Sequence, residues 1–218
     1  MAYILALGDC NIYGDVKFKN NAYPERFAKC INKNLKNCGY TMSTTREMQY
    51  IFNDFYEMDT KIILIQYGLV DSWKTFKYAP YVLYYPDNLF RKISRKIVKK
   101  YKKIAKLLKL NKLFGTVNVV TIEEYEENIK KVLLAVPDKK VILIDTVPNH
   151  ELSRNSAIEK YNNILTKLAK QYDNCYKLDI YNEFLENLDK YYLDETHIND
   201  IGYDVIAQKL FSLYKNIK

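Results

Sequence analysis

The chain reads as an α/β protein with a parallel sheet covered by helices on both faces. Three observations predict this. Several short apolar runs are continuous rather than alternating, as strands buried on both faces are. Amphipathic segments of helical period lie between them, which favours crossover connections. With 218 residues and 48% hydrophobic content, the chain can bury one sizeable core.

In order, Tyr3–Leu7 is expected as a buried strand bounded by Gly8. Tyr23–Leu35 is expected as a helix entered at Pro24 and closed near Gly39. Thr45–Phe55 reads as a shorter helix, and Lys61–Gln66 as a second apolar strand ended by Gly68. Ile122–Ala135 is helical, with Ile129, Val132 and Leu133 on one face. Val141–Asp145 is a third strand, Ser156–Gln171 a helix, and Cys175–Leu178 a short fourth strand. A last helix spans about Asn199 to Tyr214, with Asn199 as its N-cap. The reading is of one domain over 1–218, with 73–118 as an insertion: a Tyr- and Pro-rich run, Trp73–Asn88, and then a basic stretch.

No run of about 18 apolar residues occurs, so no spanning helix is expected. The N-terminus lacks a charged n-region and a small-residue cleavage site, so a secretory signal is not expected. The four cysteines, Cys10, Cys30, Cys38 and Cys175, form no CxxC pair. With only His150 and His197 as imidazoles, a zinc site has few ligands, and neither metal nor cofactor is expected. Free thiols fit a reducing cytoplasm.

Parallel sheets carry their sites beyond the carboxyl ends of the strands. Gly8-Asp9-Cys10 and Gly68-Leu69-Val70-Asp71 both fall there. Asp194-Glu195-Thr196-His197 places a carboxylate and an imidazole three residues apart before the last helix. A thiol at a strand end and an Asp/His pair on a late loop are the parts of a nucleophilic hydrolase. Cys10 would be the nucleophile, His197 the general base and then acid, and Asp194 the group that orients the imidazole. The competing readings are a buried core cysteine and a surface Asp-His pair. His150, on a strand-exit loop, is read either as lining the pocket or, in preference, as a solvated loop histidine.

These residues resemble the SGNH (GDSL-like) hydrolase family. Its members carry Gly-Asp-Ser after the first strand, Gly-x-Asn-Asp after a central strand, and Asp-x-x-His near the C-terminus. The run His197-Ile198-Asn199-Asp200-Ile201-Gly202-Tyr203 is similar to the family's His-Leu-Asn-x-x-Gly-Tyr. The resemblance spans nearly the whole chain apart from 73–118. It implies a three-layer α/β/α, flavodoxin-like fold and acyl-ester chemistry: an esterase, deacetylase or acyltransferase, with O-acyl groups of a bacterial surface saccharide as the expected substrate. Gly8, Asp9, Gly68 and Asp71 are the motif's supporting residues. Cys10 replaces the family's Ser, and Val70 its oxyanion Asn. No Gly of the second block is evident in Asn37–Arg46, where Ser43 stands in its place. Valine donates no hydrogen bond, and losing one oxyanion donor costs about 10²–10³ in kcat. Ser43, Asn11 and Ser72 are the candidate replacement donors. A thiolate–imidazolium pair would form if His197 lowers the Cys10 pKa. The alternative is a fold whose site has degraded to binding.

The formal charge of +8 is uneven. Residues 88–113 hold eleven Lys/Arg and no acid, leaving about −3 for the rest. Phe90, Ile93, Ile97, Tyr101, Ile104 and Leu108 recur at three or four residues, predicting one amphipathic helix of about 39 Å. Arg91, Lys92, Arg95, Lys96, Lys99, Lys100 and Lys103 make it a candidate dock for an anionic membrane surface, an acidic glycan or a lipid-diphosphate carrier. In the membrane case the protein would be peripheral at the inner membrane face. The alternative is a helix packed on the domain with a solvated lysine face. Nucleic acid is not expected, since no recognition motif accompanies the charge. The aromatic run Tyr78–Pro86 is read either as a lid over the site or as core of the insertion.

Overall fold

The computed structural model describes residues 3–14 and 16–217. Met1 and Ala2, part of the N-terminal reading above, lie outside them.

In chain order, β1 (Ile4–Gly8) leads through α1 (Cys10–Tyr13) to α2 (Tyr23–Cys30), β2 (Leu35–Asn37), α3 (Thr45–Phe55) and β3 (Ile62–Gln66). Then come β4 (Lys74–Phe76), α4 (Leu89–Leu107), α5 (Leu110–Phe114) and β5 (Thr116–Asn118). The chain continues through α6 (Ile122–Ala135), β6 (Lys140–Ile144), α7 (Asn155–Gln171) and β7 (Cys175–Leu178). It ends with α8 (Tyr181–Leu185), α9 (Leu188–Tyr191) and α10 (Asp200–Asn216).

Five strands form a parallel sheet in the order β2-β1-β3-β6-β7. Counting only these five, the order is 2-1-3-4-5, the flavodoxin-like arrangement with its switch point between β1 and β3. The period of two divides the strands between two cores. Ile4, Ala6, Ile62, Leu64, Ile142 and Ile144 face α2 and α10. Leu5, Leu7, Ile63, Ile65, Val141 and Leu143 face α3, α6 and α7. The result is the expected three-layer α/β/α fold.

The helix expected over Tyr23–Leu35 stops at Cys30. Asn32 takes a left-handed backbone (φ 51°), which ends the turn, and Leu35–Asn37 then pairs with Ile4–Ala6 as an edge strand. Three residues of mixed polarity carry no strand signal in sequence. β4 and β5, also of three residues each, pair antiparallel as a separate two-stranded sheet.

The single basic helix expected over 88–113 is two helices. Asn88 Oδ1 caps α4 by accepting from Arg91 N (2.8 Å), and Lys109 breaks the run with a left-handed φ of 57°. The orientation of α4 also differs from a stripe packed on the domain. The positions that turn inward are Arg91, Ser94, Arg95, Val98, Lys102 and Ala105. Most of the apolar stripe looks outward, with Phe90 80% and Ile97 63% exposed, while Tyr101 packs on Phe76. Arg95 sets this rotation. It donates to Leu83 O (2.8 Å), pairs with Asp87 (2.6 Å) and lies over the Tyr84 ring.

The aromatic run is a fixed strap. Fully buried Glu47, in the first turn of α3, accepts from Thr44 N and Oγ1, Tyr81 OH and Tyr84 N at 2.7–3.0 Å. Tyr85 OH donates to Asp54 (2.7 Å). Glu47→Ala would leave these donors unpaired at roughly 1–3 kcal/mol each. It is therefore expected to destabilise the protein by several kcal/mol in denaturant titrations and to expose the strap to proteolysis. A midpoint unchanged from wild type would contradict this account.

Candidate active site

The turn after β1 is built for close packing. A Cβ on Gly8 would sit 2.6 Å from the Gln66 carbonyl oxygen and 2.9 Å from Ile12, so β3 and α1 approach it only because it is glycine. Asp9, 2% exposed, caps α1 by accepting from Asn11 N (3.1 Å). Cys10 follows as the first residue of α1, 8% exposed and packed with Leu69, Ile158 and Tyr181. Its amide makes none of the backbone hydrogen bonds found among the described residues, as befits a helix start.

The turn after β3 is pinned from several sides. Tyr67 O accepts from Tyr125 OH (2.7 Å) and Thr146 Oγ1 (2.8 Å). Gly68 has φ 132°, and a Cβ there would overlap Thr146 Oγ1. Asp71 Oδ1 accepts from Thr45 N (3.0 Å) and Thr45 Oγ1 (2.7 Å), fastening the turn to the start of α3. Its Oδ2 is buried with no hydrogen-bond partner. Val70 presents an apolar side chain, 4% exposed.

The late loop forms the Asp-His pair. Asp194 Oδ2 meets His197 Nδ1 at 2.8 Å, while Oδ1 accepts from Thr196 N (2.7 Å) and His197 N (2.8 Å). Burial works against the Asp194 charge, but these three hydrogen bonds hold its pKa below the ordinary range. Asn11, next to Cys10, clamps this loop to the β1 turn. Its Nδ2 donates to Thr196 O (3.5 Å) and its Oδ1 accepts from Ile198 N (3.4 Å), on either side of His197. The two remote ends of the chain therefore meet at the switch point. No hydrogen bond joins Cys10 Sγ to His197.

The surroundings of the Cys10 thiol disfavour its ionisation. Burial raises the Cys10 pKa far above its usual value, and the charges of Asp9 and Asp194 add to the rise. These surroundings favour the neutral thiol over the expected thiolate–imidazolium pair. Burial also raises Asp9 to about 7, with Asp71 adding and Asn11 N and His197 opposing. Burial lifts Asp71 to about 6 against its bonds from Thr45.

The three candidate replacement donors are engaged elsewhere. Ser43 Oγ donates to Gly8 O (3.0 Å) and its amide to Tyr40 O (3.1 Å). Ser72 Oγ donates to Leu69 O (3.0 Å) and its amide to Gly68 O (3.0 Å). Asn11 holds the late loop. All three fix the turns around Cys10, and the Cys10 amide makes no backbone hydrogen bond among the described residues.

Other residues were not legible as site residues. Asn149 Nδ2 donates to Thr196 Oγ1 (3.1 Å), and His150, read from sequence as solvated, ties down the late loop. Its amide donates to Glu195 O (3.0 Å), and its ring packs edge-on against Tyr192, with Nε2 3.1 Å from Leu188 O. Only Pro148-Asn149 at a strand exit hinted at this support. Among the described residues, no group of three His, Cys, Asp or Glu is placed to hold a metal, and no helix is long and apolar enough to cross a membrane.

No family model and no curated protein sequence matches the chain. Solved structures do. A lipase/acylhydrolase from Enterococcus faecalis superposes with TM-score 0.69 at 15% identity, covering 99% of this chain and 96% of that one. A lipolytic protein of the G-D-S-L family from Veillonella parvula gives 0.65 at 16% identity, covering 97% of each. A mutant of Axe2, an acetyl-xylooligosaccharide esterase from Geobacillus stearothermophilus, gives 0.64 at 15% identity over 97% of this chain and 93% of that one. The chain thus has the fold of the SGNH (GDSL-like) lipolytic hydrolases along essentially its whole length.

Proposed function

We propose that the protein is an SGNH-like acyl-ester hydrolase or acyltransferase in which Cys10, His197 and Asp194 carry the reaction. The observation behind this reading is the Asp194–His197 pair, held to the Cys10 turn by Asn11. In this reaction His197 Nε2 accepts the thiol proton as Sγ bonds to the ester carbonyl carbon. Asp194 stabilises the imidazolium, and the Cys10 amide donates to the oxyanion. Collapse breaks the ester C–O bond, and His197 returns its proton to the departing alcohol. Water, or a second hydroxyl, then attacks the acyl-thioenzyme with His197 again as base, the C–S bond breaks to release the acid or new ester, and His197 returns the proton to Sγ. Catalytic mutants of Axe2 altered at a serine and at a histidine superpose on this chain, which agrees with a nucleophile–imidazole pair. O-acetyl groups on saccharides are the first substrates to assay.

A second reading is favoured by specific observations. The raised thiol pKa, the apolar Val70 and the engaged Ser43 and Ser72 suit a site that no longer turns over. The outward apolar stripe of α4, beside its lysines, would then dock the domain on an anionic membrane surface or acidic glycan.

Incubation with p-nitrophenyl acetate and an acetyl thioester at pH 6–9, followed by intact mass, decides between them. Turnover with an acetyl adduct on Cys10 supports the enzyme. No adduct, no turnover and sluggish alkylation of Cys10 would leave the binding module.

A further inference from the structure

A cavity of about 570 Å³ lies between α4, the strap and the turn after β3. That is the size of a small-molecule site. Its lining combines apolar and basic groups. Val70, Trp73, Pro80, Val82 and Val119 make an apolar floor. From α4 come Leu89, Ile93 and Val98 together with the basic Arg95 and Lys102 and the exposed Lys92, Lys96 and Lys99, and no carboxylate lines it among the described residues. Lys92 and Arg95 share Asp87, just outside the cavity, but Lys96, Lys99 and Lys102 have no ion-pair partner among the described residues. Burial alone pushes the Lys102 ammonium below its usual pKa, and the attraction of an anion beside it would offset that cost.

The cavity lies next to the turns of the candidate active site, with Met42 and Val70 in its lining. Their chain neighbours touch the nucleophile turn: Ser43 Oγ bonds Gly8 O, and Leu69 packs on Cys10. An oxyanion asparagine at position 70 would make this part of the lining polar, whereas valine makes it continuous with the apolar floor.

We infer that this cavity binds an anionic amphiphile, with an apolar chain on the Val70–Trp73–Val82 floor and a phosphate or carboxylate head against Lys96, Lys99 and Lys102. The inference rests on the acyl-transfer reading only in taking such a molecule as substrate. Binding is a separate matter from turnover.

Trp73 is the chain's sole tryptophan and lines the cavity, so its fluorescence reports occupancy. Dodecyl phosphate, titrated below its micelle concentration, is expected to shift that emission saturably. It should bind at least about tenfold more tightly than uncharged dodecyl maltoside or inorganic phosphate, a difference of roughly 1.4 kcal/mol. Reversing Lys96, Lys99 and Lys102 together to Glu should weaken it by about tenfold or more. Reversing Lys100, Lys103 and Lys106, on the same helix but outside the cavity, should change it less than threefold. Lys99→Glu alone gives a smaller loss and serves if the triple variant fails to fold by circular dichroism. Equal effects from the two triple variants would reduce the basic lining to diffuse charge and overturn the inference. So would dodecyl maltoside or phosphate alone matching dodecyl phosphate. Binding without acyl-ester turnover keeps the cavity and sinks the enzyme, and turnover of p-nitrophenyl acetate without dodecyl phosphate binding does the reverse.

Discussion

His197→Ala is expected to cut acyl transfer to Cys10 by about 10³-fold or more. The size follows from the state of the sulfur. A thiol already ionised at neutral pH attacks without help, and losing the imidazole would then cost little. Here burial and the neighbouring charges of Asp9 and Asp194 keep the proton on sulfur. The base must remove it as the carbon–sulfur bond forms, as in a serine hydrolase. The check is single-turnover acylation by p-nitrophenyl acetate in wild type and variant across pH 6–10. The variant's residual rate should climb with pH without a plateau, as free thiolate becomes the nucleophile. Cys10→Ser should keep activity within about an order of magnitude, since the site then treats sulfur as it would oxygen. A His197→Ala variant that acylates at the wild-type rate would mean that the imidazole does not serve Cys10. Cys30, exposed on α2, alkylates independently of both changes and gives an internal reference in the mass spectrum.

The elements legible in the sequence were those whose signal is local. Thr45–Phe55 carries its own capping box, Thr44 with Glu47, and its bounds came out as read. Cys175–Leu178 and Ile122–Ala135 did likewise. Asn199 caps α10 by accepting from Gly202 N (3.0 Å), as the residue type implied. Leu35–Asn37 was not legible, because an edge strand of three residues is specified by the neighbour it pairs with. The outward turn of α4 was hidden for a related reason. Periodicity identifies an apolar face but not what the face meets, and Arg95, bound to Leu83 O and Asp87, decides that here. In the site, the Asp194–His197 hydrogen bond follows from three-residue spacing. The commitments of Ser43, Ser72 and Asn11 depend on backbone carbonyls and amides that no side-chain pattern encodes.

Asp9→Asn is expected to stabilise the protein at pH 8 and to leave it nearly unchanged at pH 4. Asp9 has a folded pKa of about 7 against an ordinary value of 3.8, so the folded chain keeps a proton that the unfolded chain releases. The contribution of such a group is fully present below about pH 4 and is lost as pH rises through 7. A three-unit difference corresponds to about 4 kcal/mol, a ceiling once local relaxation is allowed. Asparagine imitates the protonated carboxyl and can still accept from Asn11 N. Asp194, Asp87 and Glu126 are shifted the other way and favour folding at higher pH, so the difference between variant and wild type is the quantity to follow. Urea midpoints at half-unit steps from pH 4 to 8 should separate progressively above pH 5. Parallel curves would mean that Asp9 is ordinarily ionised in the fold. The same substitution reaches the chemistry, since the Asp9 charge is the second-largest cause of the raised Cys10 pKa. Iodoacetamide at pH 8 should therefore alkylate Cys10 several-fold faster in Asp9→Asn while Cys30 reacts at an unchanged rate.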